Sequence, residues 1–412
     1  MASFRAVLHG FFSNRNVVAL TVSDFAFIIG VTVWWPFQAL YIIELGATTE
    51  QLGILLTSQA IVSVVFQYPG GVLADRYGRK RMIMVGAILR SIPPLIYLLT
   101  DSWLFFFPGL LIDAVAIVDF PAWNALLMES LSTESRGAGY GLYRTISGLP
   151  GIFIQPIGGV IMDAFGIVLG TRLCLAVNEV TMVVYALIIR FFVSEPVQTE
   201  AARPLRERHG SLLSRVRALP TIWVLILSGS LLGFGQNLTT SYLVVYAIEN
   251  IGLTKTQWGI ISAAFSVLAM SLTTPSGFLG DRVGRKSCIL ITQVLTLFST
   301  LIFVNSRAFY DTLAARAVAG VGQGFGGWAR GPMMGSNWQA LIADVTPGPE
   351  RGRMLGLIGT VMGAITTPST GIGGYLYQNV SSVIPFYLNA GLTGLGTLLI
   401  ALFLKEPKEK AR

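Results

Sequence analysis

Long apolar runs broken by short polar clusters follow one another along the whole chain. Stretches such as Val17–Ile43, Met82–Leu99, Cys288–Phe303 and Ile384–Leu404 have the length a helix needs, roughly 20 mostly apolar residues to cross about 30 Å of hydrocarbon. Twelve such runs are read, near 17–43, 52–74, 82–99, 103–130, 138–163, 172–193, 220–248, 257–280, 287–305, 309–343, 353–378 and 382–404. They predict an all-α membrane protein of twelve transmembrane helices. One polar stretch, Ser194–Pro220, carries proline and alternating charges. It divides the chain into an N-terminal six-helix bundle (1–193), a linker (194–219) and a C-terminal six-helix bundle (220–412).

Composition agrees with this pattern. Of 412 residues 53% are hydrophobic and 12% charged, against about 25% charged in soluble domains. The net charge of +8 would suit nucleic acid if it were spread over a surface, but the basic residues sit in alternate loops. They cluster at Arg76–Arg81, Arg136, 203–217, Arg282–Lys286, Arg351–Arg353 and 405–412, whereas the opposite loops hold Arg172, Lys255 and Arg307. Lysine and arginine mark the cytoplasmic side of short loops. The expectation is a multi-pass plasma-membrane protein with both termini in the cytoplasm and no nucleic-acid partner. Cys174 and Cys288 fall near opposite membrane faces, and His9 and His209 lie outside the helices, so neither a disulfide nor a metal cluster is expected. The first apolar run is too long for a cleavable signal peptide, and none is expected.

The chain repeats itself. Gly71-Val-Leu-Ala-Asp75-Arg76-Tyr-Gly78-Arg79-Lys80 returns 206 residues later as Gly277-Phe-Leu-Gly-Asp281-Arg282-Val-Gly284-Arg285-Lys286. Gly46, Thr48, Gln51, Gly53 and Ile54 match Gly252, Thr254, Gln257, Gly259 and Ile260 at the same offset. A second echo runs at 215: Ala125-Leu126-x-x-Glu129 with Ala340-Leu341-x-x-Asp344, Arg136-Gly137 with Arg351-Gly352, and Gly158-Gly159 with Gly373-Gly374. The extra residues of the second half fall around Gly331–Gln339. Parallel six-helix repeats are a recurrent transporter design.

The duplicated Gly-x-Leu-Ala/Gly-Asp-Arg-x-Gly-Arg-Lys resembles the loop between helices 2 and 3 of the major facilitator superfamily, and its return between helices 8 and 9 extends the resemblance over all twelve helices. By that resemblance the motif residues Gly71, Asp75, Arg76, Gly78, Arg79 and Lys80, with Gly277, Asp281, Arg282, Gly284, Arg285 and Lys286, form a cytoplasmic gate. Their arginines would pair with Glu129 and Asp344 and lock the outward-open state. The plainer reading is a loop that satisfies only the positive-inside rule. Gly30-x5-Pro36 in helix 1 and Gly151-x3-Gln155-Pro156-Ile-Gly158-Gly159 in helix 5 partly match drug-efflux patterns. Helix 1 lacks a closing proline, with Ala39 in its place. Helix 5 is one residue short and lacks the glycine before its proline. The stretch Leu313–Gly324 in helix 10 resembles the family's arginine-containing motif, usually found in helix 4, where this chain has Asp113.

Ionisable groups at membrane depth face a cavity or a partner. Asp24 shares a helical face with Ile28, Val31, Trp35 and Gln38 and is a proton-coupling candidate; the alternative is a hydrated or paired carboxylate. Asp113 and Asp119 lie about 240° apart around helix 4. Asp113, near mid-membrane, is the second proton-coupling candidate, and Asp119 is expected to pair with Arg144. Arg316, Gly320, Gln323, Gly327 and Arg330 form a polar stripe on helix 10, with a kink expected at Gly331-Pro332. By resemblance, helices 1, 4, 7 and 10 line the cavity. Its candidates are Trp35, Gln38, Asn124, Gln236, Asn237, Arg316, Gln323, Trp328 and Arg330. Arg90 and Glu179, on helices peripheral in the family, read as structural or stay without a role.

The whole predicts a secondary active transporter and no enzyme. It would be a monomer in the bilayer that moves a small organic solute with protons by alternating access. Export of amphipathic compounds leads, and uptake or exchange of a small organic anion, suggested by Arg316 and Arg330, is the alternative. A membrane sensor that binds without transport also fits the sequence. Energy is expected from proton movement, because no phosphate-cradling Gly-x4-Gly-Lys-Ser/Thr loop is present to bind ATP, and no cofactor is expected.

Overall fold

The computed structural model of the protein describes residues 4–131, 136–195, 220–326, 336–345 and 351–404. A chain in hydrocarbon must satisfy its backbone polar groups internally, which helices do. Among the described residues ten helical segments are long and apolar enough to span: Arg15–Glu44, Thr49–Phe66, Arg79–Leu99, Trp103–Ser130, Gly139–Phe165, Ile167–Phe192, Thr221–Thr239, Lys255–Thr273, Arg285–Val304 and Ile384–Phe403. Helices Phe309–Gly324 and Ser336–Val345 take the place of the tenth expected span; Arg351–Thr366 and Ser369–Asn379 take that of the eleventh, interrupted at Thr367-Pro368. These are numbered helices 1 to 12 below. A short helix, Phe4–Ser13, precedes helix 1, where no element was expected. Asn14 separates the two, its Oδ1 accepting the N–H groups of Asn16 and Val17.

Several helices are not straight. Helix 1 breaks after Thr32 into the 3-10 turn Trp35–Phe37, with Pro36 inside it, and resumes at Gln38–Glu44. A proline ring removes a backbone donor and clashes with the preceding turn. Helix 4 is interrupted by a second 3-10 turn, Ile117–Asp119.

The repeat in the sequence is a repeat of contacts. Tyr41 Oη donates to the carbonyl of Tyr97 (2.8 Å), and Tyr246 Oη to that of Val304 (2.9 Å). Gly30 packs on Asn178 of helix 6, and Gly235 on Asn389 of helix 12. Gly78 and Gly284 hold φ of 91° and 102° at the turns into helices 3 and 9, a backbone region glycine enters without steric cost. Helices 1 and 7 match at 205 residues up to Tyr41 and Tyr246, while the following glycines, Gly46 and Gly252, match at 206. The one extra residue is absorbed in a π-helical turn, Tyr246–Asn250, the usual form of a single-residue insertion in a helix.

The face of the molecule carrying Gly78 and Gly284 is called the motif face, and the opposite one the far face. At the far face the two bundles close on each other. Asp163, at the end of helix 5, accepts from the backbone N–H groups of Lys255 (3.1 Å) and Thr256 (2.8 Å) and from Thr256 Oγ1 (2.6 Å) at the start of helix 8. Gln378 of helix 11 does the same for helix 2, accepting from Thr49 N (3.3 Å) and Oγ1 (2.7 Å). Between these clamps Gly159 lies against the backbone of Lys255 and Thr256, and Gly374 against Thr49 and Glu50.

Candidate functional site

The first bundle holds a cavity of about 160 Å³ bordered by helices 1, 2, 3, 4 and 6. The break in helix 1 puts Trp35 and Gln38 on its wall with Val31, and helix 4 contributes Asp113. Phe27, Trp34 and Tyr97 add aromatic surface, and Gln59 and Arg90 bring in helices 2 and 3. Asp113 Oδ2 accepts from Gln59 Nε2 at 3.0 Å. Among the described residues no cation lies within ion-pairing distance of Asp113.

Asp119 does not pair with Arg144. Its carboxylate is held by Arg90 of helix 3, with Nη2 to Oδ1 at 2.6 Å and Nε to Oδ2 at 3.2 Å. The fork is bidentate, the strong geometry for arginine and carboxylate. It forms because Gly86, one turn before Arg90, leaves room for the Asp119 side chain. Arg90 also lies over the Phe27 ring, 5.7 Å from its centroid. Two carboxylates and one guanidinium thus share this corner of the bundle, and the guanidinium is committed to Asp119.

Asp24 stands apart from the cavity lining; its Oδ2 accepts from Tyr143 Oη of helix 5 at 2.5 Å. Asp24 precedes Phe27 and Val31 along helix 1, nearer the motif face, while Val31, Trp35 and Gln38 all border the cavity. Asn124 is half-buried on helix 4. In the second bundle Gln236 is half-buried, and Asn237 Nδ2 reaches the Thr366 carbonyl at 3.5 Å. The guanidinium of Arg316 lies over Phe265 of helix 8, 4.3 Å from the ring centroid. Gly320 and Gln323 belong to the same stripe; Gly320 and the neighbouring Gly324 pack on helix 8 at Phe265 and Leu272, and Gln323 is half-buried beside them. Trp328 and Arg330 lie outside the described residues.

At the motif face Arg79 forms an ion pair with Glu129 of helix 4. Arg76 and Arg282 are exposed, Arg76 over its neighbour Tyr77, and Arg285 begins helix 9. Gly71 and Asp75 lie in the helix Thr49–Tyr77, Gly277 and Asp281 in Lys255–Val283, and Asp344 at the end of Ser336–Val345; the side-chain surroundings of these aspartates lie outside the described residues. Lys80 and Lys286 turn to their own bundles. Lys80 Nζ donates to the carbonyls of Arg190 (2.9 Å) and Val193 (2.6 Å) at the end of helix 6. Lys286 Nζ donates to Ala401 and Leu404 (both 2.8 Å) at the end of helix 12. A cation at a helix C-terminus meets orphaned carbonyls and the negative end of the dipole. Glu195 mirrors this by accepting the N–H groups of Arg79 (2.6 Å) and Lys80 (2.9 Å) at the start of helix 3.

The sequence profile described as Major Facilitator Superfamily matches residues 20–258 and 225–412. The chain belongs to the major facilitator superfamily. A Methanocaldococcus jannaschii protein described as an uncharacterized MFS-type transporter is 24% identical over 366 residues, covering 86% of this chain and 90% of that one. Quinolone resistance protein NorA of Staphylococcus aureus is 28% identical over 188 residues, so the match spans 46% of each chain. The nucleoside transporter NupG has a TM-score of 0.75 at 13% identity, covering 94% of this chain and 99% of that structure. The D-xylose–proton symporter has a TM-score of 0.72 at 15% identity, with 98% and 100% covered. At such identities the structural likeness shows the fold alone. It is the twelve-helix major facilitator fold of two pseudo-symmetric bundles, and the protein is a membrane-embedded transporter of small molecules.

Proposed function

We propose that the protein exports amphipathic organic amines in exchange for protons, and that Asp113 receives the proton and the amine in turn. The observation that carries this reading is the carboxylate of Asp113 on an aromatic-lined cavity wall, bonded to the neutral Gln59 while Arg90 is held by Asp119. A carboxylate without a protein cation accepts either a proton or an ammonium group. Trp34, Trp35, Phe27 and Tyr97 offer ring faces that attract cations and bury the rest of an amphiphile. Exclusive occupancy by proton or solute links the two fluxes.

The motif face is the cytoplasmic one in this reading, since Arg76, Arg79, Lys80, Arg282, Arg285 and Lys286 lie there. The clamps between the bundles at the far face then close the outer side, and in the same reading the protein acts as a monomer in the plasma membrane. The partial efflux patterns of helices 1 and 5 and the half-chain match to NorA favour export.

The test is substrate-driven proton movement in proteoliposomes, followed with a lumenal pH dye over a panel of lipophilic amines, neutral amphiphiles and organic anions. Amines drive saturable proton flux in the wild type, Asp113→Asn abolishes it, and Asp24→Asn retains it. Loss in Asp24→Asn with retention in Asp113→Asn reverses the assignment. Flux driven by anions alone removes the export-of-amines reading.

A further inference from the structure

The second bundle carries a charge that the proposed exchange does not use. Arg316 sits two turns into helix 10, with its guanidinium over the Phe265 ring at 4.3 Å. Its Nε is buried and makes no hydrogen bond, and among the described residues no carboxylate lies within ion-pairing distance. An arginine at membrane depth without a counter-charge is strongly unfavourable, and such residues ordinarily mark a ligand path. The contrast with Arg90, at comparable depth but locked by two bonds to Asp119, is direct.

Phe265 is followed by Ser266, whose Oγ meets Gln155 Nε2 of the first bundle at 3.5 Å, while Gln155 Oε1 is buried without a donor. Helix 8 therefore presents Phe265 to Arg316 and, one residue on, Ser266 to the opposite bundle. Arg316 thus packs on a helix that also meets the first bundle.

We infer that Arg316, backed by Phe265, is an anion-receiving subsite, and that the transported solute is amphoteric. It carries an acidic group, a carboxylate or its equivalent, besides the amine received at Asp113. Guanidinium is the group suited to this, because its planar fork pairs with a carboxylate in two parallel hydrogen bonds. The ring beneath it fixes its plane and keeps one face dry. The inference rests on the amine-binding reading of Asp113 for the second charge of the solute, and the two are separable by experiment.

The probes are 4′-(aminomethyl)biphenyl-4-carboxylate and its methyl ester, which differ only in the acid. Binding to the purified full-length protein is read by intrinsic tryptophan fluorescence and by calorimetry. The wild type binds the acid at least tenfold more tightly than the ester. Arg316→Gln brings the two within twofold by weakening the acid, leaves the ester unchanged, and Arg316→Lys recovers part of the preference. Asp113→Asn weakens acid and ester by the same factor. Equal binding of acid and ester to the wild type, or no binding of either, overturns the anion subsite without any variant being needed. So does a preference that survives Arg316→Gln in protein shown to be folded by size-exclusion chromatography. An acid preference that depends on Arg316 but is untouched by Asp113→Asn upholds the subsite and removes the Asp113 reading instead.

Discussion

Neighbouring glycines in helix 5 separate the packing of one bundle from the closure of two. A Cβ on Gly158 would run into the carbonyl of Val33, in the same bundle. A Cβ on Gly159 would stand 2.7 Å from Thr256 Cα and 2.7 Å from the carbonyl carbon of Lys255, in the other bundle. Carbon atoms pack at about 3.5–4.0 Å, so Gly159→Ala requires helices 5 and 8 to part by about 1 Å. The same holds at the symmetric position, where a Cβ on Gly374 would stand 3.3 Å from Glu50 Cα and run into the carbonyl of Thr49, both in the first bundle. Overpacking of this kind costs about 1–3 kcal/mol. Gly159→Ala imposes that cost only on the far-face-closed state, and a difference of this size shifts a two-state ratio by about 5- to 150-fold. The assay is double electron–electron resonance between spin labels on Leu104→Cys and Arg307→Cys, exposed far-face positions in different bundles. Both native cysteines are buried, which leaves the engineered pair as the labelling sites. Gly159→Ala moves the distance distribution towards longer values and slows transport. Gly158→Ala lowers thermal stability and leaves the distribution of the folded fraction in place. An unchanged distribution in Gly159→Ala, or an equal shift in Gly158→Ala, refutes the division of roles.

Other substitutions test the remaining contacts. Arg90→Met strands Asp119 and lowers stability by about 3–5 kcal/mol, read by thermal unfolding in detergent; adding Asp119→Asn restores most of the loss, and failure to do so removes the pair as the cause. Lys80→Ala and Lys286→Ala each cost about 1 kcal/mol of stability with unchanged interspin distances, whereas Glu129→Gln, which neutralises the partner of Arg79, shifts those distances. Asp163→Asn keeps an acceptor but loses the charge at the start of helix 8. It moves the equilibrium away from far-face closure by about 0.3–1 kcal/mol, and a salt titration that abolishes the difference between wild type and variant confirms its electrostatic origin.

The helices, their pairing and the family were readable because lipid imposes a long period of apolar residues and because the repeat is carried by backbone-critical glycines. The carboxylate at Asp113 was readable as an acid at membrane depth. Its surroundings were not. Arg90 belongs to a helix that the family resemblance put at the periphery, and only the room left by Gly86 brings Asp119 to it. Arg144 was the expected partner on depth alone, and depth says nothing about which helix is adjacent. Gln59 carried no sequence signal beyond being a polar residue in an apolar run. Asp24 and Trp35 separated because a shared helical face says nothing about depth, and Asp24 lies about three turns nearer the motif face, at Tyr143.

Equivalent positions in the two halves divide into two kinds, and the division carries mechanical meaning. Tyr41 and Tyr246, Lys80 and Lys286, Gly158 and Gly373, Gly159 and Gly374 keep both their residue type and their contacts. These hold each bundle together or bring the bundles into register, and both bundles need the same joints to rock about one seam. The charged positions do the opposite. At the 206-residue offset Arg90 faces Thr296, and the helix 4 position that Leu313–Gly324 fills with Arg316 holds Asp113. A symmetric charge set would place equal demands on both bundles and give a solute no preferred orientation. An acid in one bundle and a guanidinium in the other give it two distinguishable ends. In the proposed exchange, residues that break the repeat with a charge at membrane depth are therefore the ones to assign to solute and proton, and residues that keep it are the ones to assign to motion.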